Sequence, residues 1–165
     1  MEILAINSER TLYLSGEIED WGEVKRRRVD TIVDMDGDVD PGVPEAPNQI
    51  LYLYFPILDD ELPCLPKLHA VGRLVAELIR SRHVVLVHCR MGLNRSSLVV
   101  ATALAYLGMS GGEALVHLQR LRPGALYNEN FAAYVKSLPA GGPLAGSRAA
   151  RGARFVVPKE RPSAG

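Results

Sequence analysis

The sequence predicts an α/β fold, and three observations carry that reading. The strand-like run HVVLVH (83–88) passes directly into a glycine-containing loop and then into an apolar helical stretch. Ahead of it stand another strand-like run and a segment with apolar residues at three- and four-residue spacing, a strand–helix–strand order that implies a parallel crossover. With 165 residues, 47% of them apolar, the chain suits one compact core rather than two independent domains.

Taken in order, Ile3 to Ala5 and Leu12 to Leu14 flank the polar segment Asn7 to Arg10 and read as a strand pair closed by a turn. Trp21 to Arg28 reads as a short helix with a basic face. TIVD (31–34) is an apolar burst cut off by Asp and Gly residues, followed by a proline-rich loop to Asn48. QILYLYFPI (49–57) is β-branched and aromatic, hence a strand. Leu68, Val71, Val75, Leu78 and Ile79 mark one apolar face of a helix over 67–81. Residues 95–107 are apolar nearly all round, as expected of a helix buried against a sheet, and Gly108 ends them. Amphipathic helices follow at 111–121 and 129–138. From Pro139 the chain is rich in Gly, Ala, Pro and Arg without periodicity, so 139–165 is expected to be a flexible tail, with Phe155 to Val157 as its one apolar run.

The chain carries 19 basic and 19 acidic residues, so no strong overall field recruits nucleic acid or an anionic membrane. Five basic residues (Arg148, Arg151, Arg154, Lys159, Arg161) and one acidic residue (Glu160) fall in the tail, which leaves residues 1–138 mildly acidic. The start MEILAINSER lacks a basic leader and no apolar run has membrane-spanning length, so a cytoplasmic monomer is expected. The two cysteines, Cys64 and Cys89, form no disulfide framework and suit a reducing compartment. Cys64 is read as a plain buried cysteine, with a protective disulfide to an oxidised Cys89 as the alternative.

Chemistry concentrates in VVLVHCRMGLNRSS (84–97), a buried strand that turns through a loop into a helix. Backbone N–H groups of Arg90, Met91, Gly92, Leu93 and Asn94, with the first helical turn, converge there, and the helix dipole adds positive charge at the same place. An anion such as phosphate fits. Arg95, six residues after Cys89, folds back over the loop mouth to grip two phosphate oxygens. The same fields favour the thiolate form of Cys89, a nucleophile. Gly92 permits the twist in mid-loop, and the Ser96 hydroxyl hydrogen-bonds the sulfur, easing its departure. His88 orients the loop backbone rather than moving protons.

His88-Cys89-x5-Arg95-Ser96 resembles the signature loop of the cysteine-dependent protein tyrosine phosphatase superfamily. LYLSG (12–16), the FPILDD segment ending at Asp60, and RLRPGALYNENF (120–131) are similar to small dual-specificity phosphatases, so the resemblance covers roughly residues 3–138. It implies a central, mainly parallel five-stranded sheet flanked by helices, a catalytic domain over 1–138, no metal or cofactor, and a cysteinyl-phosphate intermediate. Phosphorylated proteins or peptides would be the substrates, and short loops beside the site predict a cleft shallow enough for phosphoserine and phosphothreonine as well as phosphotyrosine. In similar phosphatases the general acid follows a Pro-x-x segment, which selects Asp59 here, with Asp60 as the alternative. Related enzymes also bring a polar side chain from the region of Asn128 to the signature loop.

Other readings compete. Asp34-x-Asp36-Gly37 after an apolar strand resembles the nucleophile motif of Mg2+-dependent haloacid-dehalogenase-type phosphatases, but Asp38 stands where Thr or Val is normal. Asp34, Asp36, Asp38, Asp40 and Glu45 match calcium-loop positions, but Val39 replaces the glycine that such a loop requires. A solvated acidic loop beside the cleft is the expectation. A non-catalytic phosphate-binding module would keep the fold without turnover, and RNA 5'-triphosphate or phosphoinositides would be alternative substrates for the same chemistry.

Overall fold

The computed structural model describes residues 2–44 and 48–143. Its elements run β1 (Leu4–Ala5), β2 (Leu12–Ser15), α1 (Trp21–Arg26), β3 (Thr31–Asp34), β4 (Leu51–Tyr54), α2 (Leu65–Arg80), β5 (Val85–His88), α3 (Arg95–Tyr106), α4 (Gly111–Leu121) and α5 (Glu129–Lys136). The five strands form one sheet in the order β1-β2-β5-β3-β4, antiparallel at β1–β2 and parallel elsewhere. This is the α/β architecture expected, with the strand–helix–strand crossover delivering β5 to the middle of the sheet.

Alternation along the strands assigns the two faces. Leu12, Leu14, Val33, Val85 and Val87 point into the larger core, which α2 to α5 cover, while Tyr13, Ile32 and Leu86 point to the smaller core with Val24 of α1. Because β5 is buried on both faces, it reads as a continuous apolar run rather than an alternating one. α3 packs closely on α2 because Gly72 has no side chain: a Cβ there would stand 2.6 Å from Thr102 Cγ2.

Element ends depart from the sequence reading for identifiable reasons. β4 spans four residues rather than nine, since it pairs only with the four residues of β3, and Pro56 has no N–H to extend the ladder. α2 begins earlier than expected, at Leu65, with Pro66 in its first turn, where a missing N–H costs nothing. At the other end of the chain, packing continues past residue 138: Gly141 N–H donates to Ala105 O at 2.8 Å. Phe155 to Val157 and the rest of the tail from 144 lie outside the described residues. Among the described residues, no helix is long and apolar enough to cross a membrane.

The parallel strands all end at one edge, where the register aligns Ser15 with His88, His88 with Asp34, and Asp34 with Tyr54. Ligands of open α/β sheets bind beyond the carboxyl ends of the strands. Here that edge leads straight into the loop from Cys89 to Asn94.

Candidate active site

β5 carries Cys89 to the sheet edge with its side chain 1% exposed. The loop then curls around the sulfur. Gly92 N–H donates to Cys89 Sγ at 3.2 Å, and Ser96 Oγ, in the first turn of α3, lies 3.2 Å from the same atom. Gly92 makes the curl possible: its φ is +64°, and a Cβ would come within 2.6 Å of the Ser15 carbonyl. The N–H groups of Arg90, Met91, Leu93 and Asn94 have no hydrogen-bond acceptor among the described residues. Donors without partners at a helix N-terminus form an anion cradle, here running from exposed Arg90 and Met91 to half-buried Leu93 and buried Asn94. Gly92→Ala is therefore expected to lose about 100-fold or more in kcat/KM, because a shift of about 1 Å in a reacting group costs that much. Vanadate binding measured by calorimetry should weaken with it.

Arg95 is anchored at one edge. Its Nη1 donates to Met35 O at 3.2 Å, to Asp36 Oδ1 at 3.1 Å and to Ile57 O at 3.4 Å, while Nε is buried without a partner among the described residues. Three acceptors outside the cradle thus fix the guanidinium, and a donor remains for a phosphate oxygen. The sequence reading did not contain this anchor, since Asp36 lies 59 residues from Arg95 and no spacing rule connects them.

Asp59 reaches the cradle from the segment after β4. Its Oδ2 accepts from Asn94 Nδ2 at 3.0 Å and its Oδ1 from Asn128 Nδ2 at 3.3 Å. Asp60 joins this network through its backbone carbonyl, which accepts from Asn128 at 3.2 Å and Asn130 at 3.4 Å. Of the two aspartates, Asp59 is the one whose carboxylate is held against the loop. Asn128 also caps α5, accepting from the N–H groups of Asn130 and Phe131, and its own N–H donates to Asn94 Oδ1 at 3.1 Å. Asn94, 1% exposed, so acts as a crosspiece joining three loops. Leu126 N–H to Leu93 O at 2.8 Å and Arg122 Nη2 to Met91 O at 2.9 Å brace the same loop from the segment before α5. Met91 is 54% exposed and stands on the rim, and Arg90 is exposed beside it.

Two expectations are corrected. The acidic segment after β3 is not a uniformly solvated loop: Asp34 is 0% and Asp40 9% exposed, because β3 buries the first and the chain folds back to seat the second on Tyr52. Burial raises the pKa of Asp34, against the lowering influence of the Tyr52 hydroxyl. His88 is fully buried, with Nε2 2.9 Å from Asp40 Oδ2 and 3.7 Å from Asp34 Oδ1. Glu45, the last of the calcium-loop positions, lies outside the described residues. Cys64 is exposed rather than buried, since it caps α2 one turn before the apolar face begins at Leu68. A cavity of about 320 Å³ beside the cradle is lined by Glu17, Asp36, Asp38, Asp40 and Arg90 among others.

Comparison with known proteins agrees with this geometry. The model of the family described as "Dual specificity phosphatase, catalytic domain" matches residues 22–138. The chain is 32% identical over 127 residues to mouse protein phosphatase Slingshot homolog 3 and 34% identical over 127 residues to the human protein, in each case over 73% of this chain. It spans only about a fifth of those relatives, 19% and 18% of their lengths. Among solved structures, human DUSP28 is similar with a TM-score of 0.69 at 23% identity, covering 81% of this chain and 90% of that one. Tk-PTP in its active form is similar with a TM-score of 0.62 at 28% identity, covering 81% and 92%. The family match over residues 22–138, together with the five-stranded sheet that carries the loop between β5 and α3, makes the chain a member of the dual-specificity phosphatase catalytic-domain family, within the protein tyrosine phosphatase superfamily.

Proposed function

We propose that the protein hydrolyses phosphotyrosine, phosphoserine and phosphothreonine esters of proteins through a phosphate ester of Cys89, without a metal. The observation that carries this reading is the cage around one sulfur: Gly92 N–H and Ser96 Oγ each 3.2 Å from Sγ, within a loop of unpartnered N–H groups.

In the first half-reaction the Cys89 thiolate attacks phosphorus. The bond from phosphorus to the leaving oxygen breaks, its electron pair goes to that oxygen, and Asp59 supplies the proton. Loop N–H groups from Arg90 to Asn94 and the free edge of Arg95 stabilise the charge on the equatorial oxygens. In the second half-reaction Asp59, now a carboxylate, takes a proton from water as its oxygen attacks phosphorus. The S–P bond breaks and the thiolate leaves, with the Ser96 hydroxyl donating to it. Ser96→Ala should then slow the second step selectively. A stopped-flow trace with a substrate bearing a good leaving group should show a burst followed by a steady rate roughly 10- to 100-fold below that of the unaltered protein, the scale of a transition-state hydrogen bond to a charged group.

Protein esters are favoured over the alternative substrates by charge. The carboxylates of Glu17, Asp36 and Asp38 line the cavity beside the cradle, and an acidic wall repels the additional phosphates of RNA 5'-triphosphates and phosphoinositides. The catalytic unit is assigned to residues 1–138 with its immediate continuation.

The test is hydrolysis of p-nitrophenyl phosphate, expected to be unaffected by EDTA and blocked by vanadate. Phosphopeptides should exceed phosphoinositides and 5'-triphosphate RNA in kcat/KM. Activity that requires Mg2+ would contradict the proposed chemistry, and a higher kcat/KM for either polyanion would contradict the proposed substrate.

A further inference from the structure

Buried Asp34, Asp40 and His88 and half-buried Tyr52 form a polar cluster behind the proposed nucleophile, and the catalytic steps above use none of these side chains directly. The cluster draws on three strands and one loop: Asp34 ends β3, Tyr52 lies on β4, His88 ends β5, and Asp40 comes from the loop after β3. Among the described residues, no lysine or arginine pairs with Asp34 or Asp40. Two buried carboxylates then depend on the few protons within reach.

Those protons can be followed. Tyr52 has one, and burial together with the bond to Asp34 pushes its pKa upward, so the phenol keeps it. Its oxygen is 2.5 Å from Asp34 Oδ2 and 3.0 Å from Asp40 Oδ2, and it also accepts the Asp40 N–H at 3.1 Å. The shorter contact takes the hydroxyl proton. Asp40 Oδ2 then faces one further donor at hydrogen-bond distance, His88 Nε2 at 2.9 Å. The ring does not aim its N–H at that oxygen, so the contact is one of proximity to a carboxylate rather than a formed hydrogen bond, and a small turn of the ring would complete it. Ser15, in register with His88 on β2, offers the ring no proton, because its hydroxyl donates to Gly16 O. The Asp40 loop is itself clamped from α1, where Trp21 Nε1 donates to Pro41 O at 3.0 Å.

We propose that Asp40 is a positioning residue for the phosphatase reaction: seated on Tyr52, its carboxylate holds the His88 proton on Nε2 and fixes the imidazole at the strand end that delivers Cys89. This rests on Cys89 as nucleophile. Nδ1, the remaining ring nitrogen, is then the unprotonated atom, and like Nε2 it is buried without a geometrically formed hydrogen bond among the described residues.

The experiment pairs kinetics with 15N–1H spectroscopy of the imidazole. In the unaltered protein an Nε2-bound proton should be visible. Asp40→Leu should lose that signal and lower kcat for p-nitrophenyl phosphate by about 10- to 100-fold, the cost of a small misplacement of a reacting group, with KM little changed. Asp40→Asn keeps an acceptor oxygen and should recover both readouts. Circular dichroism establishes that each variant is folded, and if Asp40→Leu is not, Tyr52→Phe removes the seat and should move the same two readouts. An unchanged signal and kcat in folded Asp40→Leu, or an equal loss in Asp40→Asn, would overturn the proposal. So would a stoichiometric divalent cation in the purified protein that is absent from Asp40→Asn, since it would assign the cluster to a metal. The spectroscopic result can be read in Cys89→Ser as well, so failure of the nucleophile and failure of the positioning role remain distinguishable.

Discussion

Cys89→Ser is expected to lower kcat/KM for p-nitrophenyl phosphate by about 10,000-fold or more, the scale on which enzymes lose activity when their nucleophile is removed. A serine hydroxyl is smaller and far less acidic than a thiol, and among the described residues the side chain at hydrogen-bond distance from the Cys89 sulfur is that of Ser96, which is no base. His88 Nε2 lies 2.9 Å from Asp40 Oδ2. Binding should survive the substitution. The unpartnered N–H groups of the loop and Arg95, anchored on Met35 O, Asp36 and Ile57 O, do not depend on the sulfur. Calorimetry with a non-hydrolysed phosphopeptide should therefore give an affinity within a few-fold of the KM of the unaltered protein. Loss of binding in parallel with activity would mean that the thiol holds the loop together and would weaken its assignment as nucleophile.

Asp59→Ala carries the second large effect, and its signature is a dependence on the leaving group. General acid catalysis contributes about 100- to 10,000-fold where the departing oxygen needs a proton. Phosphoserine peptides and phenyl phosphate should lose that factor in kcat/KM, and 2,4-dinitrophenyl phosphate, whose leaving group departs as an anion, should lose far less. Asp60→Ala should change neither series by more than a few-fold, because Asp60 meets the cradle network through its carbonyl. A uniform loss across leaving groups in Asp59→Ala would instead assign Asp59 to holding Asn94 and Asn128 in place, which its two amide contacts also do.

Particular residues mark what could be read from the sequence. The β5 run and the loop from Cys89 to Ser96 are contiguous, so the loop and the Ser96 contact with the sulfur could be read from spacing, whereas the contact of the Gly92 N–H with the same sulfur was not expected. Helices α2 to α5 emerged from apolar periodicity because each buries a single face or, for α3, nearly all of its surface. Asp59 needed the resemblance, since two adjacent aspartates are equivalent until the direction of each side chain is known.

What lay hidden was pairing between segments distant in the chain. The acidic run after β3 was read as solvated because five carboxylates in twelve positions usually face water, yet the strand register places Asp34 beside His88, and the return of the chain places Asp40 on Tyr52. The anchor of Arg95 on Asp36 has the same origin. Cys64 shows the opposite error: a cysteine is usually buried, but a helix cap ahead of Pro66 lies on the surface.

The central claim is tested most directly by trapping the intermediate. The protein should be mixed with a 32P-labelled phosphopeptide, quenched in acid within milliseconds and digested, and the labelled residue located by mass spectrometry. The account predicts one phosphate per molecule on Cys89, formed in the presence of EDTA and accumulating further in Ser96→Ala. Phosphate on Asp34, or turnover without any phosphoenzyme, would contradict it.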